Sequence, residues 1–73
     1  MNISKEQKAL LYSVVCYEDA LRRGLLTPEE AFGGFLFELH RAHAAYLNGE
    51  GGKIDRRMAL NRMFTMLARV TKP

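Results

Sequence analysis

Cysteine is nearly absent from this chain of 73 residues: Cys16 stands alone. No intrachain disulfide can therefore staple a domain whose size allows only a small core. That usage favours a reducing compartment. With no base beside it to lower its pKa, a lone thiol in an apolar helical segment reads as a small core hydrophobe. Long hydrophobic runs are missing as well. Nothing approaches the roughly 18 to 20 apolar residues of a membrane span, and no charged region followed by an apolar core marks a signal peptide. The expected location is the cytoplasm, with no membrane partner. No strand-like alternation, internal repeat or low-complexity segment is visible.

The patterns that catalysis needs are scarce too. Gly49, Gly51 and Gly52 run into Lys53 and Ile54 without a preceding strand or the spacing of a phosphate loop, and no serine nucleophile elbow occurs. Glu29 with Glu30, and Glu18 with Asp19, are sequence neighbours, whereas side chains sharing a helix face stand three or four apart. His40 and His43 have that spacing but are only two ligands. A metal would need Cys16 or a carboxylate brought in by tertiary packing, so none is expected. The chain reads as non-enzymatic and without a cofactor.

What is present is helical periodicity at 48% hydrophobic and 26% charged residues, an ordinary globular balance. Ser4 as cap, with Gln7 reaching back in a capping-box arrangement, opens a first helix over about 4–23 that Gly24 ends. Ile3, Leu10, Val14, Tyr17 and Leu21 make its apolar stripe, widened by Leu11 and Val15. Thr27, Pro28, Glu29 and Glu30 form the strongest start signal, for a helix over 28–47 with Phe32, Phe35, Leu36, Leu39, Ala42 or His43, and Tyr46 or Leu47 toward the core. Asp55 caps a third helix over 55–70, whose apolar arc is Ala59, Leu60, Met63, Phe64, Met66, Leu67 and Val70. A flexible glycine-rich loop over 49–53 joins the last two. The expectation is one all-α domain spanning 1–73, a small three-helix bundle.

Two features depart from that plain scheme. Gly33 and Gly34 sit inside the second helix, each costing about 1 kcal/mol relative to alanine. They imply close packing of another helix, a kink or break, or a flat spot where a partner docks, and Phe37 on the side of Gly33 is the candidate partner-contacting aromatic. Charge is also uneven. Residues 1–52 carry five basic and seven acidic residues, residues 53–73 six basic and one acidic. Arg62, Arg69 and Lys72 fall opposite the apolar arc as a basic ridge, Met58 lies near it, and Lys53, Arg56 and Arg57 lead into it. Arg22 and Arg23 complement the dipole at the end of the first helix and extend that surface if the helix ends beside it. The asymmetry favours an acidic protein surface or a nucleic-acid backbone as partner. Sequence-specific base reading is not supported, because the ridge has no interleaved aromatic and no helix-turn-helix signature.

In length and character, and in the basic segment opening Lys53, Ile54, Asp55, Arg56, Arg57, the chain resembles small phage-encoded transcription regulators that bind bacterial RNA polymerase. They include the kind that blocks promoter initiation and also promotes read-through of terminators. The resemblance implies a protein of the host bacterial cytoplasm that sits on polymerase near the emerging RNA, competes with the initiation factor and alters pausing or termination. It carries over no binding residue. Three alternatives stand beside it: a helical DNA- or RNA-binding protein, an inhibitor of another host or defence protein acting through Phe37 and the Gly33–Gly34 surface, and a homodimeric adaptor. Monomer and homodimer both stay open.

Overall fold

A computed structural model describes residues 2–72; Met1 and Pro73 lie outside the described residues. Three helices follow in order, α1 (Lys5–Arg22), α2 (Pro28–Leu47) and α3 (Arg56–Thr71). Each packs against the other two in a bundle of 41 × 23 × 16 Å, with no strand among the described residues. The three-helix bundle expected from the apolar spacing is the observed fold.

Local chemistry sets the ends. Thr27 Oγ1 accepts the Glu30 amide at 3.2 Å while Glu30 Oε1 accepts the Thr27 amide at 2.9 Å, a complete capping box. Asp55 Oδ1 accepts the Met58 amide at 3.0 Å. Gly24 and Gly49 take left-handed conformations, φ 71° and 75°, that let the chain fold back past the helix end. The next amides then reach the open carbonyls: Leu25 N–H to Ala20 O at 2.9 Å, and Glu50 N–H to Ala45 O at 2.8 Å.

The first helix departs from expectation at its cap. Ser4 Oγ accepts the Gln7 amide at 3.0 Å, but the Gln7 side chain does not return to Ser4. It is buried, 3% exposed, and turned toward the segment entering α3. A buried amide with donor and acceptor fully paired is worth more there than as a solvated cap.

Side-chain pairs give the topology. Gln7 meets Met58 and Glu18 meets Arg69, both fifty-one positions apart, so α1 and α3 run parallel. Ser13 and Tyr17 both meet Glu38 of the returning α2. The core is Leu10 and Val14, then Ala31, Phe35 and Leu39, then Ile54, Ala59, Met63 and Met66. Phe35 and Met63 are wholly enclosed. Tyr17, Leu21, Phe32, Ala42, Tyr46, Leu60, Leu67 and Val70 pack around it half-buried.

Several expected core residues lie outside. Cys16 is exposed, as are Val15, Leu36, Leu47 and Phe64. Each helix of a three-helix bundle covers only the two flanks that face its neighbours, so a broad apolar arc overruns the available contact. Phe64 is half-rescued by stacking on Phe32, with ring centroids 5.4 Å apart. The two glycines separate cleanly. A Cβ at Gly34 would collide with the Tyr17 hydroxyl, so α1 packs closely there; nothing lies within 4 Å of one at Gly33. α2 runs unbroken through both.

Candidate functional site

Because α1 and α3 are parallel, both amino termini emerge at one end of the bundle, and the chain passes from α2 into α3 there. The first turn of α1 grips that passage. Ser4 Oγ donates to Lys53 O at 2.7 Å. Gln7 Oε1 accepts the Asp55 amide at 2.9 Å, and Gln7 Nε2 donates to Asp55 O at 3.1 Å. A single side chain thus satisfies both backbone groups of the α3 cap residue, while Met58 Sδ lies 3.7 Å from the same Nε2. Ile54, between the two gripped residues, is in the core. Met58 is half-buried, with its sulfur turned toward Gln7.

From this anchored start the basic side chains project into solvent. Lys53, Arg56, Arg57 and Arg62 are all exposed, and among the described residues none of the four forms an ion pair. Asp55, Arg57, Met58, Asn61 and Arg62 line a shallow open depression. Arg56 and Arg57 occupy the first turn of α3, which carries no acid. The first turns of α1 and α2, by contrast, hold Glu6 and the pair Glu29 and Glu30. Positive charge at a helix amino terminus opposes the dipole and costs a few tenths to about 1 kcal/mol per residue. The Asp55 carboxylate at the cap, accepting the Met58 amide, offsets part of that cost; the two arginines themselves form no ion pair among the described residues.

The remaining basic candidates are differently placed. Glu18 of α1 receives Arg69 Nη2 at 2.8 Å on one carboxylate oxygen and Arg22 Nη2 at 2.8 Å on the other. Hydrogen bonding from Arg69, and next from Arg22, holds the Glu18 carboxyl below its ordinary pKa; the same contact raises that of Arg69. Arg23 pairs with Asp19 at 3.0 Å. So Arg22, Arg23 and Arg69 each have an acidic neighbour, whereas Lys53, Arg56, Arg57 and Arg62 toward the start of α3, and Lys72 just past its end, are exposed and form no ion pair among the described residues. Glu18–Arg22 has the i, i+4 spacing visible in sequence, but the reach to Arg69 depends on the parallel register of α1 and α3. Gln7 was missed for the same reason: its partners stand forty-eight positions away.

Phe37 is 62% exposed on the outer face of α2, and the Arg41 guanidinium carbon lies 5.8 Å from its ring centroid. It is on a different helix from the basic cluster. His40 is exposed and His43 half-buried, 6.1 Å from the Tyr46 ring. Among the described residues no three His, Cys, Asp or Glu side chains converge as metal ligands, and no helix is long and apolar enough to cross a membrane. Glu38 accepts Ser13 Oγ at 2.6 Å and Tyr17 Oη at 2.8 Å. Burial, then the hydrogen bond to Glu38 and its negative charge, pushes the Tyr17 phenol up to about 12. These groups lie between α1 and α2 and tie the two helices together. No family model matches the chain, and no curated protein or solved structure is significantly similar to it.

Proposed function

We propose that this chain is a non-enzymatic regulatory protein that binds a larger partner through the cluster Lys53, Arg56, Arg57 and Arg62. The observation that carries the reading is the contrast within one charged surface. Three arginines share the two acids Glu18 and Asp19 of α1, whereas four cations, on and just after a segment bracketed by Ser4 and Gln7, form no ion pair among the described residues. Holding that segment in place removes part of the ordering cost of binding before the partner arrives. The surface suits an anionic partner, and the absence of an aromatic beside it favours acidic side chains or phosphates over base stacking. Within that class, the resemblance to phage regulators makes bacterial RNA polymerase the first partner to test, with inhibition of initiation, antitermination or both as the outcome.

The test is affinity capture from nuclease-treated bacterial lysate, comparing the native chain with an Arg56→Glu, Arg57→Glu, Arg62→Glu variant and identifying what is retained by mass spectrometry. Arg69 is left intact because its pairing with Glu18 is part of the fold. Polymerase subunits retained by the native chain alone support the reading. Loss of all retention on nuclease treatment, with a salt-sensitive gel shift on purified DNA or RNA, would favour direct nucleic-acid binding instead. Equal retention by both proteins removes the cluster as the contact.

A further inference from the structure

The other unexplained surface is the outer face of α2, and it differs in kind from the basic cluster. From Ala31 to Leu47 only Glu38 and Arg41 carry formal charge, and Glu38 is turned inward against Ser13 and Tyr17. The outer face is therefore Gly33, Leu36, Phe37, His40, Ala44 and Leu47 with one charge, Arg41. Leu36, Phe37 and Leu47 are 39%, 62% and 69% exposed. A surface helix ordinarily carries charged and polar residues opposite its core stripe; one apolar on both sides belongs between two packed layers. Here the second layer is missing.

The geometry specifies what would cover it. The positions 33, 36 or 37, 40, 44 and 47 recur at intervals of three and four, the row spacing that meshes with another α-helix, over about 21 Å or four turns. Gly33 leaves a notch at one end of that row. A Cβ there would touch nothing in this chain, so the glycine has no internal justification for its cost of about 1 kcal/mol; close approach of an external helix supplies one. Arg41, beside the Phe37 ring, would be desolvated by any such helix and needs a carboxylate in return. A second copy of the chain does not provide one well. Parallel α2 pairing opposes Arg41 to itself, and the antiparallel register that sets it against Glu29 leaves Ala44 and Leu47 uncovered.

We infer that the outer face of α2 is a second docking surface, independent of the basic cluster, that accepts an acidic amphipathic helix of a partner protein. Phe37 is its apolar anchor, Gly33 its point of closest approach and Arg41 the cation that selects a carboxylate.

The probes are two four-turn, helix-stabilised peptides with leucine along one face and either glutamate or lysine on the rest, titrated into the isotope-labelled full chain by NMR. An acidic peptide is also drawn to α3, so the titration is repeated in the Arg56→Glu, Arg57→Glu, Arg62→Glu variant. The expected result is amide shifts between Gly33 and Leu47 that persist in that variant. The glutamate peptide should bind at least about tenfold tighter than the lysine peptide. Arg41→Glu should reverse that preference, and Gly33→Leu should weaken binding by a similar factor with helix content unchanged. Shifts that vanish in the α3 variant, equal affinity for both peptides, no binding, or concentration-dependent α2 shifts without peptide would each overturn the inference. The last would identify a second copy as the occupant. Shifts that vanish in the α3 variant would place the peptide on the basic cluster instead; the other outcomes leave that cluster untouched, and its own test is the capture experiment.

Discussion

The two ends of α3 carry the same residue type in opposite circumstances. At the start, Arg56 and Arg57 stand where the helix dipole disfavours them and, among the described residues, neither forms an ion pair, the one acid there, Asp55, being engaged as the cap; at the finish, Arg69 stands where the dipole favours it and is also paired with Glu18. The finish is stabilised by its charges and the start is burdened by them. Formal charge along a sequence therefore measures little by itself, since what a partner meets is the charge the fold has not already cancelled. The parallel arrangement of α1 and α3 draws this line, because it places the acids Glu18 and Asp19 at one end of the bundle only.

The most direct way to break the comparison is to reverse the unpaired cations. Arg56→Glu, Arg57→Glu, Arg62→Glu is expected to weaken binding to heparin, a generic polyanion, by about a hundredfold at low salt and to flatten the dependence of log affinity on log salt by two to three phosphate-equivalents. Thermal unfolding of this variant should occur at or above the temperature of the native chain, because acids now meet the α3 amino terminus. A large loss of stability would mean the cations serve the fold, and the contrast would collapse.

Next in size is the bracket that presents them. Gln7→Ala leaves the Asp55 amide without its partner in a part-buried position, while the Asp55 carbonyl keeps only the Ala59 amide; the loss costs about 2 kcal/mol. Hydrogen exchange should accelerate in residues 53–58 more than in the second half of α3. Uniform acceleration would show that Gln7 supports the whole fold and not the basic end specifically.

That residue also marks the limit of sequence reading here. The capping signals at Thr27–Glu30 and at Asp55, and the glycine stops at Gly24 and Gly49, act within a few residues, so the helix boundaries were legible to within a residue or two. The core was legible where the stripe was narrow, as at Leu10, Val14, Phe35 and Met63. It was overestimated where the stripe was wide, because spacing does not reveal which flank a neighbouring helix covers. Cys16 and Val15 fell outside for that reason. Gly33 and Gly34, identical in sequence terms, were told apart only by the position of Tyr17. Pairings at a separation of about fifty residues, Gln7 with Asp55 and Glu18 with Arg69, follow from the parallel register of α1 and α3, which no local pattern encodes. The Glu18 pairing sets Arg69 apart from the unpaired cations at the start of α3.

Glu18→Gln sharpens the comparison from the Arg69 end. Removing the carboxylate uncouples Arg69 and Arg22 and adds a unit of net positive charge, so the basic surface should extend along α3. Heparin affinity is expected to rise several-fold and the salt dependence to steepen by about one to two equivalents. Unchanged affinity would mean that the geometry of this end, and not its neutralisation, keeps it out of contact.

The smallest effects separate the two carboxylates of the helix interfaces by pH. Glu18, between two guanidiniums, has its folded pKa lowered, so its contribution to stability is present above the ordinary carboxylate range and is lost as pH falls through the lowered value. Glu38 instead accepts the Tyr17 hydroxyl, whose pKa is raised from 10.0 to about 12. A neutral phenol is the form that donates this bond, so its contribution is intact below pH 10 and disappears as pH rises from about 10 through 12. Phenolate absorbance should therefore show one tyrosine ionising late, in step with loosening of α1 from α2. Tyr17→Phe should remove that late step at a cost of about 1 kcal/mol near neutral pH. It should leave heparin binding unchanged, because the basic end is held by Gln7 and does not depend on the α1–α2 contact. A fall in heparin affinity in Tyr17→Phe would show instead that the two interfaces of α1 are coupled and that the basic end is kept in place by the whole bundle.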